Sequence, residues 1–124
     1  TAALLADLLQ SDFDVIGQVQ DGPALIKAEE NLSPDVIVSD ISMPGFDGIT
    51  AASLILRRNP AARIVLVTVH SDPILVERGF QMGALGYVLK RDAGDELVPA
   101  VHSALRGERH VNPRLYPQNT TRKP

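Results

Sequence analysis

The stretch DVIVSDISMPGFDG, residues 35–48, carries an apolar strand up to a carboxylate and stops it there. The residues at 36–38 are β-branched and apolar, which favours a strand inside a protein core. Asp40 follows after one serine, and the Met-Pro-Gly sequence at 43–45 can continue neither a strand nor a helix. The pattern predicts a strand that delivers one acidic side chain to the edge of a sheet.

The rest of the chain alternates strand-like and helix-like segments around this stretch. Predicted strands cover residues 15–19, 35–39, 64–67 and 86–89. Predicted helices cover residues 2–9, 23–32, 48–58, 73–82 and 94–106. Because the strands are continuous apolar runs, we expect an α/β fold: a doubly wound parallel sheet with helices on both faces. Residues 1–107 are predicted to form this domain, and the polar residues 108–124 to form a linker or tail.

Polar side chains stand where three of these strands end, namely Asp40, Thr68 and Lys90. In open α/β sheets, ligands bind beyond the carboxyl ends of the strands. A carboxylate is a competent phosphoryl acceptor, while a hydroxyl and a cation stabilise the oxygens of a phosphoryl group in transfer. Any one of these residues alone would be an ordinary cap or surface side chain. Their joint placement predicts a phosphoryl site.

Composition excludes several other classes of protein. The chain has 124 residues, 44% of them hydrophobic, with a formal net charge of −3 and 4% aromatic residues, so binding to nucleic acid through basic or aromatic surfaces is not expected. It contains no cysteine, which excludes disulfides and thiolate metal sites. No apolar run approaches the roughly 20 residues that span a membrane. We therefore expect a cytoplasmic protein with no membrane contact.

The motifs around these polar residues resemble the receiver domain of bacterial two-component response regulators, which implies a flavodoxin-like sheet. The segments that carry the resemblance are PDVIVSDISMPGFDGI at 34–49, RIVLVTVHSDP at 63–73 and GALGYVLK at 83–90. The ALRGERHV ending at 104–111 is most similar to the subfamily whose receivers precede a helix-turn-helix DNA-binding domain.

The resemblance implies a role for each of these residues. Asp40 would accept phosphate from a phosphohistidine on a sensor histidine kinase. Thr68 and Lys90 would bind phosphoryl oxygens, and Thr68 with Tyr87 would form the switch that answers phosphorylation. On the residues alone, the simpler interpretation of Tyr87 is a half-buried strand aromatic with a solvated hydroxyl.

The resemblance also implies a Mg²⁺ cofactor, held by Asp40 and the backbone carbonyl of Ser42. Ser42 and His70 stand where family members tune the rate at which water removes the phosphate. His70 alone reads more simply as a solvated loop side chain. The chain would be a stoichiometric phosphoryl acceptor with self-dephosphorylation rather than an enzyme. Further implied are a homodimer through the last strands and helices, and DNA binding only through a separate output domain.

One departure from the family concerns the start of the fold. Receivers begin with an apolar strand followed by two adjacent acids that help bind Mg²⁺, and no such strand precedes the helix at 2–9 in this sequence. The domain is therefore expected to lack that strand. We expect the resulting gap in the sheet to close: the 15–19 strand moves beside 36–39, a second chain lends a strand, or a strand precedes Thr1.

A second departure is Pro99, which stands inside the last predicted helix. Proline there cannot donate a backbone hydrogen bond and crowds the preceding turn. It predicts a late helix start or a kink near 95–99.

Two alternatives to the switch remain at this point. A receiver-like interaction module that no longer takes up phosphate is favoured by the missing acid pair. A phosphatase with a nucleophilic Asp40 is disfavoured, because Ser42 stands where such enzymes carry a second aspartate as general acid.

Overall fold

The computed structural model describes residues 2–41, 48–69 and 73–115 and contains one parallel sheet flanked by helices. The strands, in spatial and chain order, are β1 (Ile37–Asp40), β2 (Ile64–Thr68), β3 (Gly86–Leu89) and β4 (His110–Val111). The helices are α1 (Ala2–Leu9), α2 (Gly22–Leu32), α3 (Gly48–Arg58), α4 (Pro73–Gln81) and α5 (Ala93–Leu105). Short 3₁₀ helices cover Lys90–Asp92 and Pro113–Leu115. No helix of the described ranges is both long and apolar enough to cross a membrane.

The core has two layers because the strands of the sheet are buried on both faces. Every residue of β2 is buried, and its side chains alternate between the layers. Ile64 and Leu66 face the layer built with α2, α3 and α4, whereas Val65 and Val67 face the layer built with α1 and α5. Continuous apolar strands produce this arrangement, and the predicted doubly wound, flavodoxin-like α/β fold is confirmed.

The predicted strand at 15–19 is wrong. These residues adopt no regular structure, and Ile16 is half exposed. Between them and β1 lies a cleft of about 720 Å³, lined by β1, by residues 13–20 and by apolar side chains of α1, α2 and α5. A strand needs a neighbour within about 4.8 Å to pair its backbone, and here the cleft separates the two segments.

The expected closure of the gap by a movement of residues 15–19 is therefore wrong as well. The helices on either side are held by their own contacts. Arg58 of α3 forms ion pairs with Glu29 and Glu30 of α2. The ring of Phe13, just after α1, packs against that of His102 in α5, with ring centres 4.9 Å apart and planes tilted by 52°. These contacts attach α2 to α3 and the segment after α1 to α5.

The predicted late start of the last helix is also wrong. The helix α5 begins at Ala93, directly after the 3₁₀ turn, and runs through Pro99 to Leu105. Pro99 is exposed, while Leu97 and Ala100 beside it are fully buried. Burial of the apolar face of α5 stabilises the helix against the missing hydrogen bond. The alternative of a kink near Pro99 stays a prediction.

The boundary of the domain differs from the predicted tail at 108–124. His110–Val111 pairs in parallel with β3, and Leu115 is buried in the core layer that contains Tyr87. Residues 110–115 are thus part of the folded domain. The strand at 110–111 and the 3₁₀ helix at 113–115 contain few apolar residues. Contacts with residues distant in sequence hold them in place. Residues 116–124 lie outside the described residues.

Replacement of glycine by alanine at two positions tests the close approach of β2 and β3. A methyl group at Gly86 would lie 3.0 Å from a methyl carbon of fully buried Val65, so we expect Gly86→Ala to lower the free energy of unfolding by about 1–3 kcal/mol. At Gly94, in the first turn of α5, the same methyl group meets open space. Gly94→Ala should raise stability by roughly 0.5–1 kcal/mol. Denaturant melts measure both, and equal effects at the two positions would contradict the packing described.

Candidate functional site

The register of the parallel strands places Asp40, Thr68 and Lys90 at one edge of the sheet. Asp40 ends β1 opposite Val67, and Thr68 is the next residue of β2. Thr68 in turn lies opposite Leu89, and Lys90 is the next residue after β3. Because neighbouring strands are about 4.8 Å apart, the three residues follow one another across adjacent strands. The juxtaposition predicted from the strand ends is present in the structure.

Lys90 forms an ion pair with Asp40 through its ammonium group. Both side chains are partly exposed, Lys90 by 29% and Asp40 by 25%. A reactant in solution can therefore reach the carboxylate, while the ammonium group is already beside it. The side chain of Ser39 is buried and donates a hydrogen bond of 3.2 Å to the backbone carbonyl of Asp40, which fixes the last residues of β1.

Thr68 is 1% exposed and is the last residue of β2, the strand between those that lead to Asp40 and Lys90. Its β-branched side chain suits the strand, and its hydroxyl brings a hydrogen-bond donor to the same edge. The edge therefore combines a nucleophilic carboxylate, a hydroxyl and a cation. This is a set that can bind and stabilise a transferring phosphoryl group.

Tyr87 is fully buried in β3, so the reading of it as a half-buried side chain is wrong. Its ring lies 6.2 Å from that of Phe80 in α4, centre to centre. A methyl group at Gly79 would be 3.3 Å from the Tyr87 ring and 3.1 Å from Leu66. The absence of a side chain at Gly79 lets α4 approach closely enough to cover the ring. The packing partner of the predicted switch residue was not foreseen from the sequence.

The two predicted loop residues of the site, Ser42 and His70, lie outside the described residues. Within residues 2–41, 48–69 and 73–115, no group of three or more His, Cys, Asp or Glu side chains comes close enough to hold a metal ion. Asp40 brings one carboxylate to the edge, and Lys90 pairs with it. Mg²⁺ prefers several oxygen ligands, so the described residues do not by themselves form its site.

Asp92 is the last residue of the 3₁₀ turn that begins at Lys90, and Asn112 contacts this turn; neither residue was picked out in the sequence. The side chain of Asn112, which is 1% exposed, donates a 2.9 Å hydrogen bond to Asp92 and accepts a 3.0 Å hydrogen bond from the Leu89 backbone. The hydrogen bond from Asn112 lowers the pKa of Asp92 below its ordinary value, with Arg114 and Arg91 acting in the same direction and partial burial opposing. The only sequence signal was an Asn-Pro pair at 112–113, which reads as a turn.

Comparison with known proteins places this geometry in context. The chain matches the family model of the response regulator receiver domain over residues 1–102. It is 34% identical to the response regulator GacA of Pseudomonas aeruginosa over 115 residues, covering 93% of this chain and 53% of that protein. It is 30% identical to the transcriptional regulatory protein DegU of Brevibacillus brevis, covering 86% and 45%. The chain thus spans about half the length of the curated relatives it matches.

Solved structures agree with these relationships. A LuxR-family two-component response regulator from Aurantimonas sp. SI85-9A1 is 33% identical, with a TM-score of 0.75, and the match covers 78% of this chain and 69% of the other. The isolated receiver domain of RcsB from Salmonella enterica serovar Typhimurium, solved in the presence of the phosphomimetic BeF₃⁻, is 27% identical. Its TM-score is 0.83, over 94% of this chain and 90% of the other.

Replacement of Lys90 tests whether the ion pair serves the site or the fold. A partly exposed ion pair contributes about 0–1 kcal/mol to stability, so Lys90→Ala should leave the free energy of unfolding nearly unchanged. Leu89→Ala, one residue earlier and 3% exposed, should cost about 2–5 kcal/mol. Denaturant melts compare the two. A loss in Lys90→Ala as large as that in Leu89→Ala would make Lys90 a structural residue.

The lowered pKa of Asp92 predicts a pH-dependent contribution to stability. A carboxylate whose pKa is lowered on folding stabilises the folded state above its unfolded pKa of about 3.9 and loses this effect as the pH falls below it. Asp92→Asn should therefore be less stable than the parent at pH 7, and the difference should shrink at about pH 3. Urea melts at both pH values measure it. A difference that is the same at both would contradict the pairing.

Proposed function

Because the chain belongs to the response regulator receiver domain family of two-component signalling, we propose that it is a phosphorylation switch in which Asp40 accepts the phosphoryl group. The observation that carries the proposal is the edge of the sheet, where the Asp40 carboxylate is partly exposed and paired with Lys90. Thr68 follows one register step away on the neighbouring strand. Each of the three residues brings a different function to the reaction.

The nucleophile is a carboxylate oxygen of Asp40. It forms a bond to phosphorus while the bond between phosphorus and the donor's leaving group breaks, and the leaving group departs with that electron pair. The product is an acyl phosphate. The Lys90 ammonium group, already beside the carboxylate, pairs with one phosphoryl oxygen, and the Thr68 hydroxyl donates a hydrogen bond to another. The negative charge spread over the transferring group is thereby stabilised.

The response to phosphorylation is expected in the neighbouring layer of the core. Thr68 lies at the end of β2, two residues beyond Leu66, which is the register partner of Tyr87. A shift of Thr68 toward a phosphoryl oxygen changes the space beside the Tyr87 ring under α4. Thr68 and Tyr87 thus form the switch, and the face of α4 reports it.

The partners follow from the family. Receiver domains are phosphorylated by sensor histidine kinases and typically use Mg²⁺. The described residues offer that ion one carboxylate, with the Ser42 carbonyl proposed as a further ligand, and no step above goes through a metal. Ser42 and His70 are proposed to tune the self-dephosphorylation that makes the chain a reversible acceptor rather than an enzyme. A homodimer through the last strands and helices is also proposed, with DNA binding left to a separate output domain.

A second candidate function is an interaction module that takes up no phosphate. The observation in its favour is that the described residues contain no group of three or more His, Cys, Asp or Glu side chains that could hold a metal ion. The ion pair of Asp40 with Lys90 and the adjacent Thr68 favour the phosphorylation switch instead.

Phosphorylation is expected at Asp40 and at no other residue. The chain is incubated with Mg²⁺ and acetyl phosphate, and the intact mass is measured. We expect a gain of one phosphoryl group in the parent chain and none in Asp40→Asn. Asp35→Asn is the matched control, since Asp35 is exposed at the opposite end of the same strand segment, and it should retain the adduct. An adduct that persists in Asp40→Asn would overturn the assignment.

A further inference from the structure

Asn112 connects the segment after α5 to the strand that carries the site. Its backbone N–H donates a 3.0 Å hydrogen bond to the carbonyl of Tyr87. Its side-chain oxygen accepts from the backbone N–H of Leu89 at 3.0 Å, and its side-chain nitrogen donates to Asp92 at 2.9 Å. A buried side chain with every polar group matched holds one conformation strongly, because any rearrangement leaves a buried group without a partner.

The same segment has further attachments on either side of Asn112. Arg114 donates hydrogen bonds to both carboxylate oxygens of Asp92, at 2.8 and 3.1 Å. Before Asn112, the His110 backbone donates to the Leu85 carbonyl at 2.8 Å, and after it Leu115 is buried in the core. Residues 110–115 are thus bound to β3 and to the 3₁₀ turn that follows it.

Lys90 lies between the two groups that Asn112 contacts. Leu89 precedes it, and Asp92 closes the 3₁₀ turn that Lys90 opens. The ammonium group of Lys90 is paired with Asp40. A series of contacts therefore links Asp40 to residues 110–115. It consists of the Lys90 side chain, the 3₁₀ turn at 90–92 and the side chain of Asn112.

We propose that Asn112 is a positioning residue, which sets the turn of Lys90 and couples the state of Asp40 to the attachment of residues 110–115. The coupling rests on the proposed function, because phosphorylation of Asp40 is the event that triggers it. When Asp40 becomes an acyl phosphate, the negative charge that Lys90 pairs with moves outward onto the phosphoryl oxygens. Lys90 follows it, the turn at 90–92 shifts, and the hydrogen bonds of Asn112 weaken. Residues 110–115 then detach more readily from β3.

Amide hydrogen exchange on the full chain, followed by NMR, tests the coupling. The probes are the N–H groups of Leu89 and Asn112, which take part in the hydrogen bonds concerned. The reference is the N–H of Leu85, directly before β3, which donates to the backbone carbonyl of Ile64 and not to residues 110–115. Phosphorylation should accelerate exchange of the two probes by roughly tenfold, the change expected from losing one hydrogen bond, and should leave Leu85 unchanged.

An arm without phosphate separates this inference from the proposed function. Asp40→Asn removes the partner of Lys90 and should accelerate exchange at Leu89 and Asn112, whereas Asp35→Asn should not. Unchanged exchange in Asp40→Asn would overturn the coupling, whether or not the parent chain can be phosphorylated. If the parent chain forms the adduct and its exchange stays the same, the coupling is likewise overturned. If no adduct forms, the proposed function fails, and the exchange in Asp40→Asn still decides the coupling.

An exchange of side chains tests whether the hydrogen bond itself carries the signal. Asn112→Asp places a carboxylate beside that of Asp92. In this variant, adding Asp40→Asn should no longer make a difference to the rates of amide exchange at positions 89 and 112. Adding Asp92→Asn restores a donor and an acceptor in reversed positions, and should restore that difference. A residue that served packing alone would give no such rescue. Asn31→Ala, on the exposed face of α2, is the control for loss of an asparagine and should leave the difference intact.

Discussion

The parallel register of β1, β2 and β3 is the constraint on which the site depends. All side chains of β2 are buried, so this strand cannot slide without moving apolar residues of both core layers. A slip of one residue would reverse every side chain. The register in turn decides that Asp40, Thr68 and Lys90 come to one edge in succession. The apolar packing of Ile64–Val67 on both faces of the sheet thus sets the geometry of the polar residues that follow at the strand ends.

The two edges of the sheet differ in how they are covered. At one edge the short strand β4 pairs with β3, and Asn112 and Leu115 hold it in place. At the other edge β1 borders an apolar cleft, with residues 13–20 on its far wall. Unpaired sheet edges expose backbone groups that can pair with another strand. The covered edge lies beside Lys90, and the open edge lies beside Asp40, so the surroundings of the site differ on its two sides.

The site combines a weak ion pair with strong buried hydrogen bonds, and this combination favours a switch. The ion pair of Asp40 with Lys90 is partly exposed, so exchanging its partner changes stability little. The hydrogen bonds of Asn112 are buried, and breaking one leaves a polar group without a partner. A shift of the weak ion pair can therefore alter the neighbouring hydrogen bonds of Asn112 without unfolding the domain. On the other side of β3, the lack of a side chain at Gly79 lets α4 pack closely against the Tyr87 ring.

The sequence by itself predicted the helices, three of the strands and the meeting of Asp40, Thr68 and Lys90 at one edge of the sheet. Periodic apolar positions act within a few residues of the chain, and the strand-terminal Asp40, Thr68 and Lys90 stand at the ends of continuous apolar runs. Only the tertiary structure decided which segments pair. Residues 15–19 look like a strand but lie across a cleft from β1, while His110–Val111 looks like a tail and pairs with β3. The role of Asn112 appears only in the fold, because strand pairing and buried hydrogen bonds join residues that are distant in sequence, as Asn112 is from Leu89.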